Sequence, residues 1–132
     1  MARMSALHNP TSLTVGASIG AISTAANVLN GATVNFQGKR GVLFLLNVGV
    51  TTGTANVAAW VQTNDLPTDP DNGNWTNVNT TTYPLAAVAA QTNDNTAYAM
   101  MYDGSWGTTY AVRAVRETAA NTAVAAITHI VY

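Results

Sequence analysis

GVLFLLNVGVTTGTANVAAWVQ, residues 41–62, reads as two β-strands joined by a turn. From Val42 to Val50 the chain is apolar on both alternating faces until Asn47, the pattern of a central strand covered on both sides. Thr51-Thr52-Gly53-Thr54 turns the chain back. From Ala55 the side chains alternate: Ala55, Val57, Ala59 and Val61 share one face, and Asn56, Ala58, Trp60 and Gln62 share the other.

The same period of two extends in both directions. Upstream, Asn27-Val28-Leu29 and Ala32 to Phe36 flank Asn30-Gly31, which predicts a type I′ hairpin. Gln37 to Gly41 is a turn. Downstream, residues 63–82 form an irregular stretch rich in Asn, Asp, Thr and Pro, with Trp75 and Val78 as apolar anchors. Tyr83 to Ala90 suits either a short strand after Pro84 or one helical turn. Thr96, Tyr98, Met100 and Tyr102 lie on one face of a further strand, which ends at the turn pair Asp103-Gly104. Thr109–Glu117 and Thr122–Tyr132 read as a last hairpin around residues 118–121. The Ala content of residues 111–128 would also suit a helix, but the β-branched load and the alternation of Ala123, Ala125, Ile127, His129 and Val131 favour strand. Seven or eight short strands predict an all-β protein. The expectation is a single β-sandwich, jelly-roll-like or immunoglobulin-like, over residues 22–132. Residues 1–21, with Pro10, Gly16 and Gly20, read as an extended N-terminal arm.

Charge sets this chain apart. Six acidic and five basic side chains in 132 residues make 8% charged residues and a formal net charge of -1, against roughly a quarter charged in an ordinary domain. Such a surface neither repels a copy of itself nor steers a charged ligand. It suits a building block packed among other subunits, hence an expected homo-oligomer. The balance argues against nucleic-acid binding by phosphate neutralisation. With no cysteine there are no disulfides, thiolate metal sites or Cys nucleophiles. The first ten residues lack the apolar run of a signal peptide. Apolar runs such as Val42 to Leu46 reach at most six residues, far short of the ~20 that span a bilayer. No membrane association is expected, and synthesis in a host cytoplasm is.

The order of short motifs resembles a group of small structural proteins encoded among the head genes of tailed bacteriophages. The carriers are GVLFLLNVGVTTGT (41–54), VQTND (61–65), the Asp/Asn-Gly-x-Trp loop DPDNGNWTNV (69–78), QTNDNTAYAMMYDGS (91–105), YAVRAVRET (110–118) and AAITHIVY (125–132). The resemblance covers residues 36–131. The chain departs from it by the long stretch before Phe36 and by the padding from Thr63 to Asn72. What it implies is a virion protein of the minor capsid or head-decoration (cement) kind. Its partners would be the major capsid protein or other virion proteins, its place the virion, and it would need no cofactor.

Each candidate site in the sequence also has a plainer reading. Asp65, Asp69 and Asp71, near Asn64, Asn72 and Asn74, offer oxygen ligands for Ca²⁺. The spacing is not that of an EF-hand, and Asx-rich loops build turns without metal, so the expectation is no metal. Trp60, Trp75 and Trp106 with Tyr83, Tyr98, Tyr102 and Tyr110 could stack on sugars, which gives the alternative function of a glycan-binding or adhesion module. The plainer reading is packing and subunit contact. His8 and His129 stand at opposite ends with no acidic element nearby, and no nucleophile-elbow pattern is present, so no enzyme is expected. Arg113 and Arg116, three apart on a strand, must point to opposite faces, and the inward one needs carbonyls or a carboxylate. The interface candidates are Trp75, Trp106, Tyr102, Arg113, Lys39 and Arg40.

Overall fold

A computed structural model of the chain describes residues 14–51, 56–65, 74–91, 95–104 and 109–132. Within them lie β1 (Thr14–Asn30), β2 (Val34–Asn35), β3 (Gly41–Thr51), β4 (Asn56–Asn64), β5 (Thr76–Asn77), β6 (Ala87–Gln91), β7 (Thr96–Asp103) and β8 (Ala111–Val131). The protein is all-β, and all pairings are antiparallel.

β8 is the spine. β1 and then β2 run along one of its edges, from Thr14↔Val131 to Asn35↔Ala111. β3 and then β4 run along the other, from Val42↔Val131 to Asn64↔Ala111. β6 and β7 repeat this on the outer side, β6 against β4 and β7 against β3. Four long antiparallel paths thus lie side by side. β1 and β8 each pass from one sheet to the other at the same level, near residues 25–27 and 119–123.

Arg116 shows that the ribbon folds over there. Its guanidinium Nη1 donates to the carbonyl of Ala125 at 2.6 Å. In a straight strand, nine residues at about 3.3 Å each would hold these positions roughly 30 Å apart. β8 therefore bends sharply between them, and its two halves belong to two facing sheets. With the halves of β1 and β8 taken separately, one sheet runs first half of β1, second half of β8, β3, β7, and the other runs second half of β1 with β2, first half of β8, β4, β6, with β5 also on the β4 edge. This is a jelly roll, an antiparallel ribbon wrapped on itself.

The core fills the space between the sheets. Val42, Phe44, Leu46 and Val48 of β3 meet Val57, Ala59 and Val61 of β4, Val112 and Ala114 from one half of β8, and Ala125 and Ile127 from the other. Met100 and Tyr102 complete it from β7. At the end away from the bend, Tyr102 packs on Phe36 and Tyr83, with centroids 5.6 and 5.2 Å apart.

Several expectations are corrected. Asn30-Gly31 is not a hairpin: β1 and β2 are collinear along β8, and Gly31 lacks the positive φ that a type I′ turn requires. Glycine is needed there because β8 comes close. Gly31 N–H donates to Ala114 O at 2.7 Å, and a Cβ at Gly31 would lie 2.8 Å from that oxygen. Residues 118–121 make no hairpin either, since β8 runs through them. β3 is central, but it is buried on one face only: Leu43 and Leu45 remain half-exposed on the other. Residues 14–21, assigned above to an arm, are the first part of β1 and pair with β8. Residues 1–13 lie outside the described residues.

Candidate interaction surface

The two sheets present outer faces of different character. Around β3, the outward positions are Leu43, Leu45 and Asn47, with Met101 and Ile130 beside Leu43 and Ala99 and Thr128 beside Leu45. No charged residue occurs in residues 42–51, 96–102 or 122–131. This face is apolar and half-exposed.

The face of β4 and the first half of β8 is more structured. Val112, Ala114, Arg116 and Thr118 point inward and are buried, so Ala111, Arg113, Val115 and Glu117 point outward. Beside them in register stand Asn64, Gln62, Trp60 and Ala58 of β4. Arg113 lies over the Trp75 ring, 4.3 Å from its centroid. Its Nε–H donates to Gln62 Oε1 at 2.9 Å, and Gln62 Nε2 donates to Asn77 Oδ1 at 2.8 Å. Each side chain in this row fixes the next, so the cation is held in place over the indole. The indole N–H groups of Trp60 and Trp75 are buried and find no hydrogen-bond acceptor among the described residues.

Of the predicted interface residues, Trp75 and Arg113 are thus brought together on one surface. Lys39 and Arg40 are exposed in the turn after β2, where Gly38 has φ 70° and Arg40 N–H donates to Tyr132 O at 2.7 Å. Tyr102 is placed differently, in the core at 6% exposure. Its position on β7 faces the other sheet. Its hydroxyl pairs with Thr109 Oγ1 at 2.8 Å, and burial pushes its phenol pKa up. Trp106, His8, Asp69 and Asp71 lie outside the described residues, and Asp65 is exposed at the end of β4. Among the described residues no cluster of three or more His, Asp or Glu side chains is found.

One feature escaped the sequence reading. Ser18 Oγ and His129 Nδ1 are 2.7 Å apart inside the sandwich edge. Phe44 stands edge-on to the imidazole, and burial lowers its pKa. The ring borders a cleft of about 260 Å³ lined by Thr33, Val34, Asn35, Lys39, His129 and Val131. The alternation of residues 123–131 turns His129 inward, but its partner lies 111 positions away and leaves no local signal.

No family profile and no characterised protein matches the sequence. Solved structures do match in fold. The VP2 subviral particle of infectious bursal disease virus superposes with a TM-score of 0.57 at 9% identity, over 90% of this chain and 31% of that one. A Bacillus endospore appendage (pilus) protein superposes with a TM-score of 0.50 at 12% identity, covering 91% of this chain and 87% of its own. The SPBc2 prophage-derived protein YomS reaches 0.48 at 16% identity over 90% and 91%. The chain therefore spans about a third of the virus chains it matches, and the likeness is one of fold.

Proposed function

We propose that this chain is a structural subunit of a virus particle, in finer terms a decoration, cement or minor capsid protein of a phage head. It would act through contacts with its own copies and with a major capsid protein, and it would carry no catalysis. The observation that carries this reading is the pairing of a jelly roll with an outer face around β3 that is half-exposed, apolar and free of charged residues. Such faces gain little from staying in water, and they associate through apolar and amide contacts rather than ionic ones. The fold likeness to a virus shell protein and to a pilus protein supports assembly, and the head-gene resemblance of residues 36–131 supports the phage setting.

The test is salt. Multimers, or protein bound to its particle, should persist in 1 M NaCl, because screening barely touches contacts that are not ionic. Release of subunits by molar salt would overturn the mechanism. A second reading, glycan recognition, is favoured by the ordered Trp75–Arg113–Gln62–Asn77 row. It predicts saturable binding on a glycan array that Trp75→Ala or Trp106→Ala abolishes. Arg113 covers one face of the Trp75 ring, which favours the assembly reading.

A further inference from the structure

β7 is the outer edge of the sheet that holds β3, and no described strand pairs with its far side. Its ladder is regular. β3 and β7 pair from Gly41↔Asp103 to Val48↔Thr96 with no register shift, whereas the β1–β8 ladder has three shifts and the β4–β6 ladder one. Proteins blunt exposed edges with bulges, prolines or charges. β7 has no bulge against β3, and residues 95–102 contain neither proline nor charge. The free stretch of this edge is bounded at both ends. Successive residues of a strand aim their backbone groups to opposite edges. Met101 N–H donates away from β3, to Leu85 O at 2.8 Å, so at Met101 the edge is taken. Ala97 and Ala99 share the parity of Met101, so their N–H and C=O groups point out of the sheet, and both residues are exposed. Before Thr96 the ladder ends at Asn95, whose φ of 54° turns the chain and whose N–H donates to Gly49 O at 3.2 Å. The open edge thus runs from Thr96 to Met100, with Tyr98 at its centre.

We propose that β7 pairs edge to edge with β7 of a second copy, antiparallel, about a two-fold axis that passes beside Tyr98 perpendicular to the sheet. Ala97 then stands opposite the partner's Ala99, and Ala99 opposite the partner's Ala97. Each of these pairs exchanges two backbone hydrogen bonds. In this register Met101, where Leu85 closes the edge, lies opposite the partner's Asn95, where the partner's ladder has already ended. Each obstruction therefore meets a strand end, and the edge fits its own copy. A slip of two residues toward Met101 would drive the partner's strand into Leu85. Tyr98 of each copy, packed on its own core, stands beside the other in a non-hydrogen-bonded pair, the closer kind, where cross-strand aromatic pairs add to sheet stability. The two sheets become one, and the apolar positions Leu43, Leu45, Ala99 and Met101 continue across the axis into those of the second copy. Backbone and apolar contacts of this kind carry no ionic component.

This inference rests on the reading of the chain as an assembling subunit, but it can fail separately. The experiment combines sedimentation velocity on the full chain at 1–100 µM with a cross-link. Wild type is expected to dimerise, alone or as a unit of a larger multimer. Ala97→Pro and Ala99→Pro each remove an outward N–H that the chain's own ladder does not use, so the fold tolerates them, and each should weaken the contact roughly tenfold or more. The chain has no cysteine, so Tyr98→Cys introduces a single thiol. Opposite Cα atoms of a non-hydrogen-bonded pair lie about 4.5 Å apart, inside the range of roughly 4.4–6.8 Å that a disulfide spans. Diamide should therefore convert Tyr98→Cys to a covalent dimer on a non-reducing gel, and should leave Val28→Cys, exposed on β1, unlinked. If the proline variants fail to fold, the cross-link decides alone. Equal association of wild type and folded proline variants, or a Tyr98→Cys that links no better than Val28→Cys, overturns the pairing and leaves the structural function standing. Association without the Tyr98→Cys link that is lost on deletion of residues 1–13 assigns the edge to that segment of a neighbouring copy, and overturns the pairing of β7 with β7. A wild type that stays monomeric at 100 µM overturns it too, while salt-stable binding to a particle would still support the structural function.

Discussion

At the scale of single residues, His129 and Gly16 form one unit. Gly16 is paired with His129 across the β1–β8 ladder, and a Cβ at Gly16 would lie 2.7 Å from His129 Cε1. The imidazole occupies the space a side chain would need. Gly16→Ala is therefore expected to cost roughly 1–3 kcal/mol through overpacking, read as a lower midpoint in urea with an unchanged slope. His129 also sets a pH limit. The groups around it are Ser18, Gly16 and Phe44, with the Lys39 side chain along the same cleft and no carboxylate among the cleft's lining residues. Its folded pKa is lowered by burial, so its contribution is complete above the unfolded value, near 6.5. As the pH falls through that value toward the folded one, the unfolded state takes up the proton first and stability drops. The slope should approach at most ~1.4 kcal/mol per pH unit. Denaturation midpoints at pH 5 and pH 8 should differ in wild type, and that difference should shrink in His129→Gln.

At the scale of elements, Arg116 ties together the two sides of the bend in β8. The residue is fully buried, and its reach to Ala125 O joins the two halves of one strand. Arg116→Ala would leave a cavity and a buried carbonyl without its donor, with an expected loss of about 3 kcal/mol or more in chemical denaturation. Arg116→Lys should recover part of it. This element also marks what could be read from the chain. Period-two alternation identified the inward faces of β4 and β7 and turned Arg113 and Arg116 to opposite sides, because those are local properties of an extended backbone. The two hairpins misread at residues 30–31 and 118–121 carry local turn chemistry that the distant partner overrides. β8 serves both sheets, and β1 follows it over the bend. The Trp75–Arg113 stack was equally out of reach. Trp75 comes from the irregular stretch, where no periodicity fixes direction, and only the β4–β5 pairing brings it over β8.

At the scale of the whole molecule, the wrapped ribbon makes the first described residues part of the fold. Thr14 to Ile19 pair with Val131 to Ile127. Deletion of residues 1–20 is therefore expected to remove cooperative unfolding, which loss of the near-ultraviolet circular dichroism signal would reveal. Retained signal would show that the edge is dispensable. The same wrapping has a kinetic consequence. The strand that holds β1, β2, β3 and β4 is the last of the described elements to leave a ribosome, and its partners at Thr14 wait more than a hundred residues for it. Until β8 emerges, the low-charge segments have neither a template nor mutual repulsion to keep them apart. Refolding in vitro is expected to be slow and to lose yield to aggregation as concentration rises. In a cell, production would then favour conditions in which newly made chains are shielded by a chaperone.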